Sequence, residues 1–296
     1  MPEPAPTNTS QPSPTSTATV SLPSPTAILK KQFEGELAFE HLAAQVELGP
    51  RLPASAAHRE AGDIIIEHLK DLGWQVEEQL YEVAGIPGRN LIARANQNAG
   101  PVIILGAHYD SRAISDRSPE SQRPVPGAVD GASGVAVLME LARALDLENV
   151  ENEIWLAFFD LEDQGKGAIP GLDFIEGSSY MANNLEVTPD AVVVVDMVGD
   201  SDQQFYYEGF SEPDLRAEIW AAADELGYGA YFIPELKYTI RDDHLPFLRL
   251  GIRAITILDF DYPYWHTIDD TVDKSHPDSL QRVGDVLVRW LEDSGD

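Results

Sequence analysis

Carboxylate and imidazole side chains follow the strongly apolar segments of this sequence, at positions where they could bind a metal ion. These residues are His108 after VIILGA, Glu162 and Asp163 after IWLAFFDL, Asp196 after AVVVV, and His266 after RAITILDFDYPYW, together with Asp130 before GASG. Neutral imidazole nitrogens and carboxylate oxygens suit zinc, which can keep a position open for water. Because ligands of open α/β sheets bind beyond the carboxyl ends of the strands, we expect these side chains to converge on one site.

Each of these residues, taken alone, has a simpler explanation. Asp130 could cap the helix that GASG opens, because an aspartate there can accept the first free backbone N–H groups. Asp196 could cap a turn, and Glu162 with Asp163 could be a solvated pair in a loop. The occurrence of such a residue after every apolar segment favours one shared site over several unrelated ones.

The elements that must position these residues alternate along the chain. Strand-like segments are WQVEEQLYEV, NLIARAN, PVIILGAHYD, EIWLAFFD, AVVVVDMV and RAITILDF, and helical patterns occur at 31–48, 56–72, 133–146, 173–185, 213–227 and 277–293. Continuous apolar runs such as VIIL and AVVVV are typical of strands buried on both faces. This alternation predicts an α/β fold: a single domain, 28–296, with a central twisted, mostly parallel mixed β-sheet and helices on both faces.

Residues 1–27 differ from the rest of the chain. They contain seven Pro, six Thr and five Ser, a composition that cannot bury a core and predicts a disordered or polyproline-like linker. The segment lacks the apolar stretch of a signal peptide. Because Pro/Ser/Thr tethers often follow a removed export signal, we expect an exported protein, although an inconsequential tail has the same composition.

The overall charge excludes several classes of function. The 296 residues include 20 Lys and Arg against 50 Asp and Glu, a net charge of −30, and no Cys. Such a chain repels phosphate backbones and anionic membranes, so nucleic-acid binding is not expected. The absence of Cys excludes disulfides and Cys-ligated zinc. No apolar run reaches the roughly 20 residues that a transmembrane helix needs. The charge favours a soluble monomer.

A series of motifs resembles the M28 family of zinc-dependent exopeptidases and the related glutaminyl-peptide cyclotransferases. The matching segments stand in order: GPRLPASAAHREAGDIIIEHLKDLGW, PVIILGAHYDS, VPGAVDGASGVAVLMELARAL, FFDLEDQG, GSSYMANNL, VVVVDMVGD, DDHLPFLRLGI and YWHTIDDTVDK. They extend from about residue 34 to 294, nearly the whole predicted domain. The resemblance implies a peptide or protein N-terminus as the substrate.

The resemblance also implies roles for particular residues. The positions that hold a zinc pair in the aminopeptidases match His108, Asp130, Asp163, Asp196 and His266, with Asp130 bridging the ions. Glu162 matches the general base. In the cyclotransferases, the positions of Asp130, Asp163 and His266 hold one zinc, and the other two are present without a second ion. The ligand set therefore leaves both one and two zinc ions open.

Several further positions bear on the choice between the two branches. Asp163 stands where most relatives have Glu, and Thr256 stands where the cyclotransferases have a His. Asp242, in DDHLPFL, matches an aspartate of the cyclotransferase acid network, although it could instead cap a helix. Trp265 and Tyr262 are expected to wall a substrate pocket, with core packing as the alternative.

The sequence therefore predicts zinc-dependent chemistry at the N-terminus of a peptide. We favour an aminopeptidase in which Glu162 transfers the proton of metal-activated water, because the DGASG loop is typical of the peptidases. A glutaminyl-peptide cyclotransferase, which forms N-terminal pyroglutamate and releases ammonia, is the alternative favoured by DDHLPFLRLG and YWHTIDDT. A non-catalytic binding module on the same fold is the third possibility.

Overall fold

A six-stranded mixed sheet forms the centre of the molecule. A computed structural model describes residues 1–3, 31–118 and 122–293 of the chain. The strands of the sheet are β1 Gln75–Val83, β2 Ile86–Ala95, β3 Val102–His108, β4 Glu153–Phe159, β5 Ala191–Asp196 and β8 Arg253–Leu258, in the order β1-β2-β4-β3-β5-β8. β1 and β2 run antiparallel to their neighbours, whereas β4, β3, β5 and β8 are mutually parallel.

Helices cover both faces of this sheet. They are α1 Gly35–Glu47, α2 Ala56–Asp71, α3 Ala132–Ala144, α4 Glu176–Asn183, α5 Pro213–Glu225, α6 Leu245–Arg249 and α7 Pro277–Asp293. One apolar cluster joins α1, α2, α3, α5 and α7 to one face, through side chains such as Leu105 and Val193. A second cluster joins α4 and α6 to the other face, through Ile104 and Val192. Successive strand residues thus point to opposite cores.

The predicted fold class is confirmed, and the six predicted strands and six predicted helices all occur. Helix α6 was expected only as an alternative, the helix that Asp242 could cap, and the small parallel pair formed by β6 Phe205–Glu208 and β7 Phe232–Tyr238 was not predicted. The pair is irregular in register, and β7 exposes most of its side chains, so it lacks the apolar pattern used to predict strands. The predicted linker, 1–27, and its boundary with the domain lie almost entirely outside the described residues.

No helix in the described part of the chain is both long enough and apolar enough to cross a membrane.

Gly134 allows α3 to lie directly against β5. A Cβ at this position would overlap the carbonyl oxygen of Val195 and stand 3.0 Å from Ala107 Cβ. We expect Gly134→Ala to lower the free energy of unfolding by about 2 kcal/mol, because two rigid backbones would have to separate. Gly62→Ala in α2 is the matched control, since the atoms nearest to its Cβ belong to the guanidinium of Arg89, the end of a long side chain.

Urea unfolding of the two variants tests this expectation. A loss in Gly134→Ala no larger than that in Gly62→Ala would contradict the close packing of α3 on the sheet.

Candidate active site

The parallel strands bring the predicted metal-binding residues to one edge of the sheet. β3 ends at His108 and β5 ends at Asp196, and these two strands are neighbours. Glu162 and Asp163 follow β4, on the other side of β3. His266 follows β8, and Asp130 lies just before α3. Asp130 does not cap that helix through its side chain, because the N-cap position is Gly131, which has no side-chain hydrogen bond.

Two groups of potential ligand atoms lie at this edge and share Asp130. One group is His108, Asp130 and Asp196, and the other is Asp130, Asp163 and His266, with all ligand atoms of a group within 4.8 Å of one another. His108 Nε2 is 3.2 Å from both Asp130 Oδ1 and Asp196 Oδ1. His266 Nε2 is 3.1 Å from Asp163 Oδ1 and 3.8 Å from Asp130 Oδ2. The two oxygens of Asp130 thus face different imidazoles.

The chemistry of these groups fits zinc. Both contain one imidazole and two carboxylates, a donor set that zinc accepts. Asp130 Oδ2 is buried and has no hydrogen-bond partner among the described residues, although a buried carboxylate oxygen normally has one. Burial and the nearby carboxylates Asp242 and Asp130 raise the pKa of Asp196 to about 7. A cation at this position would relieve that repulsion.

Asp110 connects the end of β3 to the loop that carries the paired acids. Its Oδ1 lies 3.6 Å from His108 Nδ1 and accepts a hydrogen bond from the backbone N–H of Glu162 at 3.0 Å. Its Oδ2 accepts one from the N–H of Asp163 at 3.3 Å. Although burial opposes a charged imidazole, Asp110, Asp130 and Asp196 hold the pKa of His108 well above its usual value. Asp110 thereby contacts the imidazole of His108 and holds the backbone of the two paired acids.

Asp116 and Arg112 support the second imidazole. Asp116 Oδ1 is 3.1 Å from His266 Nδ1, so that His266 presents Nε2 to Asp163 and Asp130. The buried guanidinium of Arg112 donates both to Asp116 and, at 3.1 Å, to Asp163 Oδ1. Partners of this kind fix the orientation of a ligand side chain. The sequence analysis did not single out Asp116 or Arg112, which lie in a loop without a recognisable pattern.

Asp270 holds the segment that carries Asp130. It accepts hydrogen bonds from the N–H groups of Val129, at 2.8 Å, and Asp130, at 3.2 Å. The hydroxyl of Tyr262 also donates to it, at 2.7 Å. Burial, followed by the charge of Asp130, raises the pKa of Asp270 to about 7. Tyr262 was expected in the pocket wall, but the structure places it behind the wall, where it anchors Asp270.

The backbone has unusual conformations next to the candidate site. Leu161, Met197 and His266 have φ values of +58°, +46° and +58°, a backbone region that residues other than glycine rarely adopt. Leu161 immediately precedes Glu162, so the chain turns sharply just before the two paired acids. Such strain persists only where surrounding contacts enforce it.

Glu162 is buried and lies beside other acids. Glu162 is 8% exposed, and it lines the same cavity as residues of both groups of potential ligand atoms, here called the two donor groups. Burial raises its pKa well above the usual range, and the charges of Asp163, Asp243 and Asp242 act in the same direction. A carboxylate with a raised pKa is a stronger base, which suits the acceptance of a proton from water.

An open cavity of about 410 Å³ gives access to these residues. Its acidic floor is formed by Asp130, Glu162, Asp163, Asp196 and Asp242. Its apolar walls include Phe174, Met197, Ile240, Leu258, Phe260 and Trp265. The predicted wall residue Trp265 lies in the wall, with its ring centroid 4.9 Å from that of Phe260. Phe260, which the sequence analysis did not single out, stands in the wall where Tyr262 was expected.

The family model for peptidase family M28 matches residues 90–291. The chain therefore belongs to peptidase family M28. The matched range includes the five acids and imidazoles of the two groups of potential ligands. It also includes Glu162, Asp242 and Trp265.

Similar proteins include both cyclases and exopeptidases. A glutaminyl-peptide cyclotransferase of Drosophila melanogaster is 28% identical over 283 residues, 82% of this chain and 78% of that protein. A leucine aminopeptidase precursor from Bacteroides thetaiotaomicron superposes with a TM-score of 0.84 at 32% identity, over 89% of this chain and 98% of its own. A glutaminyl cyclase of the same organism, bound to N-acetylhistamine, gives 0.83 at 32% identity, over 88% and 98%.

Proposed function

We propose that the protein is a zinc-dependent aminopeptidase that removes the N-terminal residue of peptides. The observation that carries this proposal is the pair of donor groups that share Asp130, whose two oxygens face different imidazoles. A shared carboxylate of this kind suits two ions held side by side, as in two-metal aminopeptidases. Membership in a family of zinc exopeptidases and cyclases supports an enzyme rather than a binding module.

In this proposal the residues of the chain divide the work. His108, Asp130 and Asp196 would hold one ion, and Asp163 and His266 would hold the other together with Asp130. Bound zinc supplies an activated water and polarises the scissile carbonyl. Glu162 accepts the proton of the attacking water and returns it to the departing amine. The acidic floor of the cavity attracts the substrate's free ammonium group, and the apolar wall at Trp265 receives its side chain.

Zinc content and reversible chelation test this proposal. We expect two zinc ions per chain by elemental mass spectrometry, together with release of leucine from a Leu-Xaa peptide. Chelation should abolish that release, and added zinc should restore it. One zinc per fully active chain, or activity that survives complete removal of zinc, would contradict the two-ion proposal.

A glutaminyl-peptide cyclotransferase is the second candidate. Its supporting observations are the position of Asp242 in the cavity floor and the names of several relatives. In this reaction the N-terminal amine of the peptide attacks the side-chain amide carbon of the first Gln. The new ring C–N bond forms, and the bond to the amide nitrogen breaks. Glu162 takes a proton from the attacking amine and passes it to the departing ammonia.

The location and assembly of the protein complete the proposal. We propose an exported monomer on the basis of the Pro/Ser/Thr-rich segment at 1–27 and the charge of −30. Fractionation of the source cells and light scattering of the purified chain test these two points. Retention in the cytoplasm would contradict the first, and a dimer mass would contradict the second.

A further inference from the structure

A buried carboxylate–imidazole pair lies next to Asp242. His244 Nε2 is 3.1 Å from Glu208 Oε2, and His244 Nδ1 is 4.0 Å from Asp242 Oδ2. His244 is 0% exposed, and Glu208 and Asp242 are 3% and 5% exposed. One imidazole therefore stands between two carboxylates, of which Asp242 lines the cavity and Glu208 does not.

Glu208 is held firmly in place. It accepts hydrogen bonds from the backbone N–H groups of Phe210, Ser211 and Ile240, at 2.8 to 3.0 Å, and from the hydroxyl of Ser211 at 3.0 Å. Burial alone would raise the pKa of Glu208, but the bond to His244 and these donors lower it to about 2. Because Glu208 is a fixed acceptor, it sets the orientation of the His244 ring and directs Nδ1 toward Asp242.

The facing atoms of His244 and Asp242 both lack a partner. In the part of the chain that the structure describes, His244 Nδ1 and Asp242 Oδ2 are buried without a hydrogen bond. Leaving two such atoms unpaired costs free energy, and a small rotation of the Asp242 side chain would pair them with each other. The other oxygen of Asp242, Oδ1, already accepts the N–H of Asp243 at 2.5 Å. These two contacts together would fix the whole carboxylate.

We propose that His244, oriented by Glu208, is a positioning residue that holds the carboxylate of Asp242 in the floor of the cavity. The inference rests on the proposed function, because Asp242 matters only if the cavity carries out chemistry at a peptide N-terminus. Asp242 is one of the acids whose charge acts on Glu162. A displaced Asp242 would therefore alter the surroundings of the residue that transfers the proton.

Two substitutions of His244 distinguish the roles of its two ring nitrogens. The amide of Asn can take the place of Nδ1 and contact Asp242, whereas the longer Gln can take the place of Nε2 and contact Glu208. We expect His244→Gln to lower kcat about 10- to 100-fold with KM changed by less than about threefold, the range seen when a supporting partner is lost. We expect His244→Asn to retain kcat within about fivefold of the wild type. His68→Gln is the control, because His68 contacts the Met139 carbonyl of α3 and does not line the cavity.

Crystal structures of the two variants supply a readout that does not depend on activity. We expect Asp242 to keep its orientation in His244→Asn and to rotate away in His244→Gln. Equal loss of kcat in both variants, or an unchanged Asp242 in His244→Gln, would overturn the positioning role while leaving the proposed function intact. A zinc-loaded wild type that alters no peptide N-terminus would instead overturn the proposed function, and this inference with it.

Discussion

Replacement of Glu162 with Gln is expected to lower kcat by about 10²- to 10⁴-fold, the contribution typical of a positioned acid–base group. Gln has nearly the same shape, but it cannot accept a proton from the attacking water or amine. Because Glu162 belongs to neither donor group, zinc content should remain that of the wild type. KM should change little, since the cavity walls and the other four acids of the floor are untouched.

Steady-state kinetics with metal analysis of the same samples tests this expectation. Glu186→Gln, which removes an equal charge from an exposed position, is the matched control and should retain full activity. A Glu162→Gln variant that keeps its zinc and more than about a tenth of the wild-type kcat would exclude Glu162 as the proton-transfer group.

Replacement of Asp130 with Asn is expected to have the largest effect on metal binding. Asp130 is the residue shared by the two donor groups, so its loss weakens both positions at once. We expect activity to fall on the order of 10³-fold, because the transition state would lose several kcal/mol of stabilisation by the metal. Asp196→Asn, which alters a single group, should lower zinc content to one ion per chain.

Isothermal titration of zinc into the metal-free variants measures this difference. The control is Asp71→Asn, which removes an equal charge from an exposed position at the end of α2. Circular dichroism establishes that each variant is folded. Two ions bound with unchanged affinity by Asp130→Asn would contradict its assignment as the shared ligand.

Much of the fold could be predicted because its signals are local. Continuous apolar runs such as AVVVV are buried on both faces in the structure, as their composition requires. The parallel arrangement of these strands then places the residues at their carboxyl ends side by side. This is why His108, Asp130, Asp163, Asp196 and His266 could be grouped from sequence alone.

The supporting contacts could not be predicted, because they join residues far apart in the chain. Asp270 holds the backbone of Asp130 from 140 positions away, and Glu208 reaches His244 across 36. His58 is buried and lies 2.7 Å from Asp160, which is 102 positions further along the chain. No periodicity or motif in the sequence marks such pairs, since each becomes a partner only after the sheet has formed.

Local backbone geometry was also beyond sequence reasoning. A left-handed conformation at Leu161 is expected from glycine or asparagine rather than from a buried leucine. The same limitation applies to the turns between β8 and His266, which place Phe260 in the wall and Tyr262 behind it. These conformations are enforced by tertiary contacts.

Mass spectrometry of a peptide beginning Gln-Xaa, incubated with the zinc-loaded protein, tests the central claim most directly. Chelated protein and the Glu162→Gln variant serve as controls. We expect free glutamine and a peptide shortened by one residue, formed only by the untreated wild type. Loss of ammonia from an otherwise intact peptide would contradict the aminopeptidase proposal and establish the cyclotransferase. An unchanged peptide, together with no release from Leu-Xaa, would contradict chemistry at the N-terminus altogether.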